Sequence, residues 1–167
     1  RGSPSILKDV VNDVVGYAET DPEGAARALA ALGTAARQRG VKPDADLDIV
    51  LPLIAHTSAP IQVAAIQLAG SWKLEPSISA LKAIISNPDT RSYIRNATVE
   101  SLLGIGTTNA KAALSELAGS NLPTATKIEV AAGYASADPK EAVDLVVNLL
   151  EGLGKDDAGT ALVVTYI

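Results

Sequence analysis

A chain of 167 residues can bury roughly two thirds of the surface its unfolded form exposes, enough for one core without disulfides or metals. Apolar residues make up 47% but aromatics only 3%, with no Phe, so the core must be built from Ala, Leu, Ile and Val, side chains that suit closely packed helices. The formal charge of -5 is spread, with eight basic and nine acidic groups in residues 1–83 and six and ten in residues 84–167. This excludes the clustered Lys and Arg that nucleic acid requires, and the absence of cysteine excludes disulfides, thiolate metal sites and thiol nucleophiles while fitting either redox compartment.

The apolar runs fall short of the 18 or more residues a membrane span needs. No charged start is followed by a hydrophobic signal segment, and the chain is expected to be soluble. Arg1-Gly2-Ser3 reads as a cloning remnant, no initiating Met is present, and ALVVTYI ends the sequence in mid-pattern, so a piece of a longer chain is expected. The first element, SILKDVVNDVVGYA, sets Leu7, Val10, Val11, Val14, Val15 and Ala18 at spacings of three and four, one face of a helix near 5–19. Its valines lower helix propensity by a few tenths of a kcal/mol each, so this helix depends on packing. A strand would bury Asp9 and Asp13 beside Val11 and Val15.

Prolines mark the helix starts that follow, because at the first helical position a missing N–H costs nothing. Asp21-Pro22-Glu23 opens a helix at 22–39, and Asp138-Pro139-Lys140-Glu141 opens another with a capping box between Asp138 and Glu141. Pro60, Pro76 and Pro123 stand ahead of apolar periodic runs. Gly40, Gly70, Gly104, Gly106, Gly119 and Gly152 fall near helix ends. The helices are then predicted near 5–19, 22–39, 46–57, 60–71, 76–86, 89–104, 109–119, 123–136, 139–152 and from 157 onward, with no strand. Pro52 lies inside DLDIVLPLIAHT, where a kink or a late start is expected.

Alternate helices superimpose. IQVAAIQLAG, IRNATVESLLG and IEVAAGYASA begin at Ile61, Ile94 and Ile128, steps of 33 and 34. LPLIA, LKAII, LSELA and LVVNLL begin at Leu51, Leu81, Leu114 and Leu145, steps of 30, 33 and 31. Such a period, one helical hairpin per unit, points to an all-α fold, an α-solenoid of about five antiparallel hairpins near 4–39, 43–71, 75–105, 108–136 and 138–167. Ala64, Ala97 and Ala131 share one position, where a small residue lets helices approach. DTRSYIRNATVESLLGIG, with Asp89, Ile94, Arg95, Ala97, Leu102 and Gly104, resembles the second helix of a HEAT or HEAT-like (armadillo-type) repeat. The resemblance covers residues 43–167, with 4–39 a more divergent first hairpin. It implies that Asp89 and Arg95 knit neighbouring repeats through turn and inter-repeat hydrogen bonds. Gln62 and Glu129 stand where Arg95 would recur, so one rung of such a ladder is supported.

Candidate site residues divide accordingly. Arg95 reads as structural, and Arg91, one turn away, as solvated surface or part of a small cationic patch. Trp72, placed in a turn after Gly70-Ser71, reads as packing or as an interface residue. With second helices lining the concave side, as the resemblance implies, Gln62, Gln67, Arg95, Glu100 and Glu129 are candidates for a polar inner surface. His56, the one histidine, has no Cys or second His with which to form a metal site. Asp44, Asp46 and Asp48, like Asp156 and Asp157, lack the glycine turn and distal Glu of a calcium loop and read as helix caps. GIGTTNAK lacks the GK[ST] of a phosphate loop and reads as a hairpin connection. No catalytic residue, cofactor or metal is expected. The leading expectation is a module for protein or peptide binding, with neither nucleic acid nor membrane as partner. The resemblance also admits a structural spacer in a bacterial multidomain dehydrogenase or cytochrome-type protein, and, without a matching motif here, a HEAT-like enzyme of the bilin lyase or DNA glycosylase type.

Overall fold

The structure is a computed structural model that describes residues 4–43, 46–137, 139–140, 142–143 and 146–147. The chain is all-helical, with no strand among the described residues. The elements are α1 (Pro4–Tyr17), α2 (Pro22–Arg39), a 3-10 segment η1 (Leu47–Ala55), α3 (Ala59–Trp72), a short 3-10 turn η2 (Glu75–Ser77), α4 (Ile78–Ser86), α5 (Ser92–Ile105), α6 (Thr108–Gly119) and α7 (Thr124–Ala137). None is long and apolar enough to cross a membrane. The expected capping box at Asp138 and Glu141, the helix from 157 onward, and Asp44, Asp156 and Asp157 lie outside the described residues.

Local chemistry explains α2 completely. The Asp21 carboxylate accepts the Gly24 N–H at 2.9 Å, Pro22 occupies the first turn, and Gly40 ends the helix at φ 62° with its N–H on Ala36 O. Ala25, Leu29, Leu32 and Ala36 form its buried stripe.

Three expectations are corrected. The segment expected as a kinked helix at 46–57 winds throughout as a 3-10 helix. Pro52 cannot donate to Asp48 O and its ring would crowd that carbonyl in an α-helix. Leu47, Val50 and Leu53, all buried, fall at intervals of three, the period that aligns side chains in the 3-10 form. The Asp46 carboxylate caps it by accepting the Asp48 N–H at 3.0 Å. Second, Trp72, expected in a turn after Gly70-Ser71, is the last residue of α3, one residue beyond the expected end at 71; the helix closes on Lys73, a left-handed residue at φ 55°, with the Leu74 N–H reaching back to Ala69 O. Third, α5 starts at Ser92 rather than 89, because the Asn87 side chain accepts the Asp89 N–H and its carbonyl accepts the Thr90 N–H, and this turn occupies the residues ahead of the helix.

The helices fall into two layers filled in chain order. In one, α2 packs on α3, α3 on α5 and α5 on α7; in the other, α1 packs on η1, η1 on α4 and α4 on α6. The central α3 is buried on nearly every side, from Ile61 through Trp72. With no Phe available, the α3–α5 crossing is made by small residues. A Cβ on Gly70 would lie 2.8 Å from Ser101 Cα, a Cβ on Gly104 would lie 3.3 Å from Gly70 O, and Ser101 Oγ donates to Ile66 O at 2.7 Å. At the α5–α7 crossing a Cβ on Gly133 would run into Val99 Cγ1. Ala64, Ala97 and Ala131 are buried as well.

Several cross-helix pairs share one separation, beside others at 31 and 35 residues. Arg37 with Ser71, Glu75 with Asn109 and Lys82 with Glu116 are each 34 residues apart. Gly70 with Gly104 and Arg95 with Glu129 repeat the same step.

Candidate functional site

Arg95 is buried and makes two hydrogen bonds. Its Nη1 donates to Thr126 Oγ1 at 2.8 Å and its Nη2 to Thr90 O at 2.7 Å. Nε lies 2.8 Å from Glu129 Oε2 but off the hydrogen-bond line, so this third contact is an attraction between charges. The rung expected between Asp89 and Arg95 is therefore built differently. The turn contributes the Thr90 carbonyl, and α7 contributes Thr126 and Glu129. Asp89 is exposed, with its own N–H on Asn87.

Gln62 also turns inward. Its Nε2 donates to Ile54 O at 3.0 Å, satisfying a carbonyl in the last turn of η1 that would otherwise lack a donor. Trp72 is 3% exposed, and its indole N–H reaches Val41 O at 3.3 Å, fixing the α2–η1 connection against the end of α3. Arg91 is exposed and its Nη1 donates to Tyr93 Oη at 3.3 Å. His56 ends η1. Its Nδ1 accepts the Ser58 N–H at 2.9 Å, tying the end of η1 to the start of α3, while Nε2 lies 3.2 Å from Glu19 Oε1 of the α1–α2 turn without a hydrogen bond. In GIGTTNAK, Gly106 closes α5 at φ 67° and Thr107 caps α6 by accepting the Ala110 N–H.

Two of the sequence candidates, Gln67 and Glu100, come together on the solvent side of the layer formed by α2, α3 and α5. They line a cleft of about 490 Å³ together with Arg37, Ser71, Lys73 and Gly104. Arg37 Nη1 donates to Ser71 Oγ at 3.0 Å, and Ser71 Oγ donates to Gln67 O at 2.8 Å. Arg37 and Lys73 were not singled out from the sequence. The signal that finds Arg37 is its separation of 34 residues from Ser71. Among the described residues no three His, Asp or Glu side chains gather into a group able to hold a metal ion. In chemical terms the cleft offers two cations, one carboxylate, one amide side chain and small residues, Ala97, Ser101 and Gly104, between them.

Set beside known proteins, the chain matches no family model, no curated protein and no solved structure.

Proposed function

We propose that the chain is a HEAT-like helical-repeat segment, an α-solenoid of stacked hairpins, and that it serves as a non-catalytic module binding protein or peptide along its layer of second helices. The observation that carries this reading is the separation of 34 residues recurring in cross-helix pairs of both layers. Translating one hairpin by a constant step generates such a register, whereas a closed bundle has no reason to repeat it. Each hairpin then buries its apolar side against its neighbours, and α2, α3, α5 and α7 form a continuous face that contains the cleft. The engagement of the cleft hydroxyl supports a non-catalytic role, because Ser71 Oγ is held by Arg37 and Gln67 O with no base in its hydrogen bonds. Polypeptide fits the cleft better than nucleic acid, whose phosphates would meet Glu100 beside Arg37 and Lys73.

Two measurements test the two halves of the reading. A compact domain of this length has a radius of gyration of about 15 Å, so small-angle scattering on a stacked array should give a larger value, and 15 Å or less refutes the stacking. For binding, a photo-crosslinker is placed at Gln67 in the native full-length protein and, separately, at exposed Ser115 on the opposite layer. A polypeptide captured at 67 and not at 115 is expected. No capture, or equal capture at both positions, refutes a binding role for this face.

A further inference from the structure

The cleft carries charge that its own surroundings leave uncompensated. Arg37 uses one N–H on Ser71, while Lys73 and Glu100 stand exposed. None of the three has an ion pair among the described residues, although pairs form elsewhere, between Lys82 and Glu116 and between Arg95 and Glu129. The charges are also sorted by position. Arg37 and Lys73 lie at the C-terminal ends of α2 and α3, and Glu100 lies on α5. Between them Gly104 is exposed and carries no side chain, a surface that a partner's main chain can approach closely, while Gly70 is buried against Ser101.

We propose that the occupant of this cleft is an extended polypeptide segment of mixed charge, laid across α2, α3 and α5, with an acidic residue against Arg37 and Lys73 and a basic residue against Glu100. The proposal rests on the reading of this layer as a binding face and adds the chemistry of the partner. The Arg37 guanidinium bonds Ser71 on α3 and Lys73 caps α3, so the cationic end lies over α3; neighbouring helix axes lie about 8–10 Å apart, and at about 3.3 Å per extended residue the two charges fall about three residues apart. Gln67, exposed between them, presents an amide donor and acceptor to the partner's main chain. A purely acidic or purely basic segment satisfies one end of the cleft and is repelled at the other.

The test selects displayed random dodecamer peptides on the immobilised 167-residue chain and measures the enriched peptides by fluorescence anisotropy against the parent, Glu100→Lys and Lys73→Glu. Both substitutions are at exposed positions, and unchanged far-ultraviolet circular dichroism verifies the fold of each. The expected result is enrichment of an Asp or Glu about three residues from a Lys or Arg, binding weakened about fivefold or more by either variant, and recovery when the facing peptide charge is reversed. Peptides that lack the paired charges, or that bind both variants as well as the parent, overturn the mixed-charge assignment and leave the binding-module reading standing. A selection that yields no binder overturns both.

Discussion

Replacing Gly70 by Ala sets two opposing effects against each other at the α3–α5 crossing. On an isolated helix the change stabilises by about 1 kcal/mol, because glycine loses more backbone entropy than alanine on folding. Here the new Cβ would lie 2.8 Å from Ser101 Cα, 2.9 Å from Ser101 Oγ and 3.0 Å from Ser101 O. Two of these three atoms are backbone, so no side-chain rotation relieves them and α5 must move away from α3. Overpacking of this kind costs about 1–3 kcal/mol, and displacement strains the Ser101 Oγ bond to Ile66 O, worth about 1 kcal/mol. The net expectation is destabilisation of about 1–3 kcal/mol, read as a lower urea midpoint at unchanged slope. Gly16→Ala is the control: its Cβ would meet nothing within 4 Å, and the helical term alone should raise stability by about 0.5–1 kcal/mol. Adding Ser101→Gly to Gly70→Ala removes the Oγ clash but leaves those with Cα and O, loses the bond to Ile66 O and adds a helical glycine, so no net rescue is expected. If Gly70→Ala is neutral, or stabilises as much as Gly16→Ala, the close approach of α3 and α5 is wrong.

Other outcomes follow from the same geometry. Lys73→Gly should stabilise by about 1 kcal/mol, since Lys73 holds φ 55°, a region costly for any residue with a Cβ; a lower melting temperature refutes the left-handed closure of α3. Arg95→Met should cost about 3 kcal/mol in urea unfolding, because it leaves Glu129, 27% exposed, and the Thr90 carbonyl without their partner. Trp72→Phe keeps most of the packing but strands Val41 O, a loss of about 1 kcal/mol that should appear in thermal unfolding with little change in helix content.

The parts of the fold legible in the sequence are those governed by neighbours in the chain. The bounds of α2 needed only Asp21, Pro22 and Gly40. The end of α3 was legible to within one residue, but the role of Gly70 was not, because glycine late in a helix has two meanings. Gly40 and Gly106 adopt the left-handed turn, whereas Gly70 makes room for Ser101, 31 residues further on. The 3-10 form of η1 was half legible: Pro52 announced a disturbance, and the spacing of Leu47, Val50 and Leu53 specified its kind. The candidate site divides along the same line. Helical phase exposes Gln67 and Glu100, but alignment with Arg95 put Gln62 and Glu129 on the same polar face although each turns to satisfy a partner, Ile54 O and Arg95 respectively. Equivalence in a repeat identifies positions, and only the neighbouring unit decides whether a polar group there is needed inside. Lys73 was missed because it lies one residue past the helix, at a backbone angle that side-chain periodicity does not describe.

The features that hold α3 against α5 also shape the cleft. Gly70 and Gly104 let the two helices approach until backbone meets backbone, and the exposed Gly104 leaves one stretch of the cleft lining without a side chain. A larger residue at position 104 would therefore act twice, pressing on Gly70 O from 3.3 Å and filling the floor a partner's main chain would occupy. The two effects separate by magnitude. A Cβ at 3.3 Å from a single carbonyl oxygen needs a shift of a few tenths of an ångström, which a helix pair absorbs at a cost well below that of the Gly70 clash, whereas a partner strand lying on bare backbone loses its closest approach outright. Position 70 therefore bears chiefly on the stability of the α3–α5 contact, and position 104 chiefly on what can lie across the cleft.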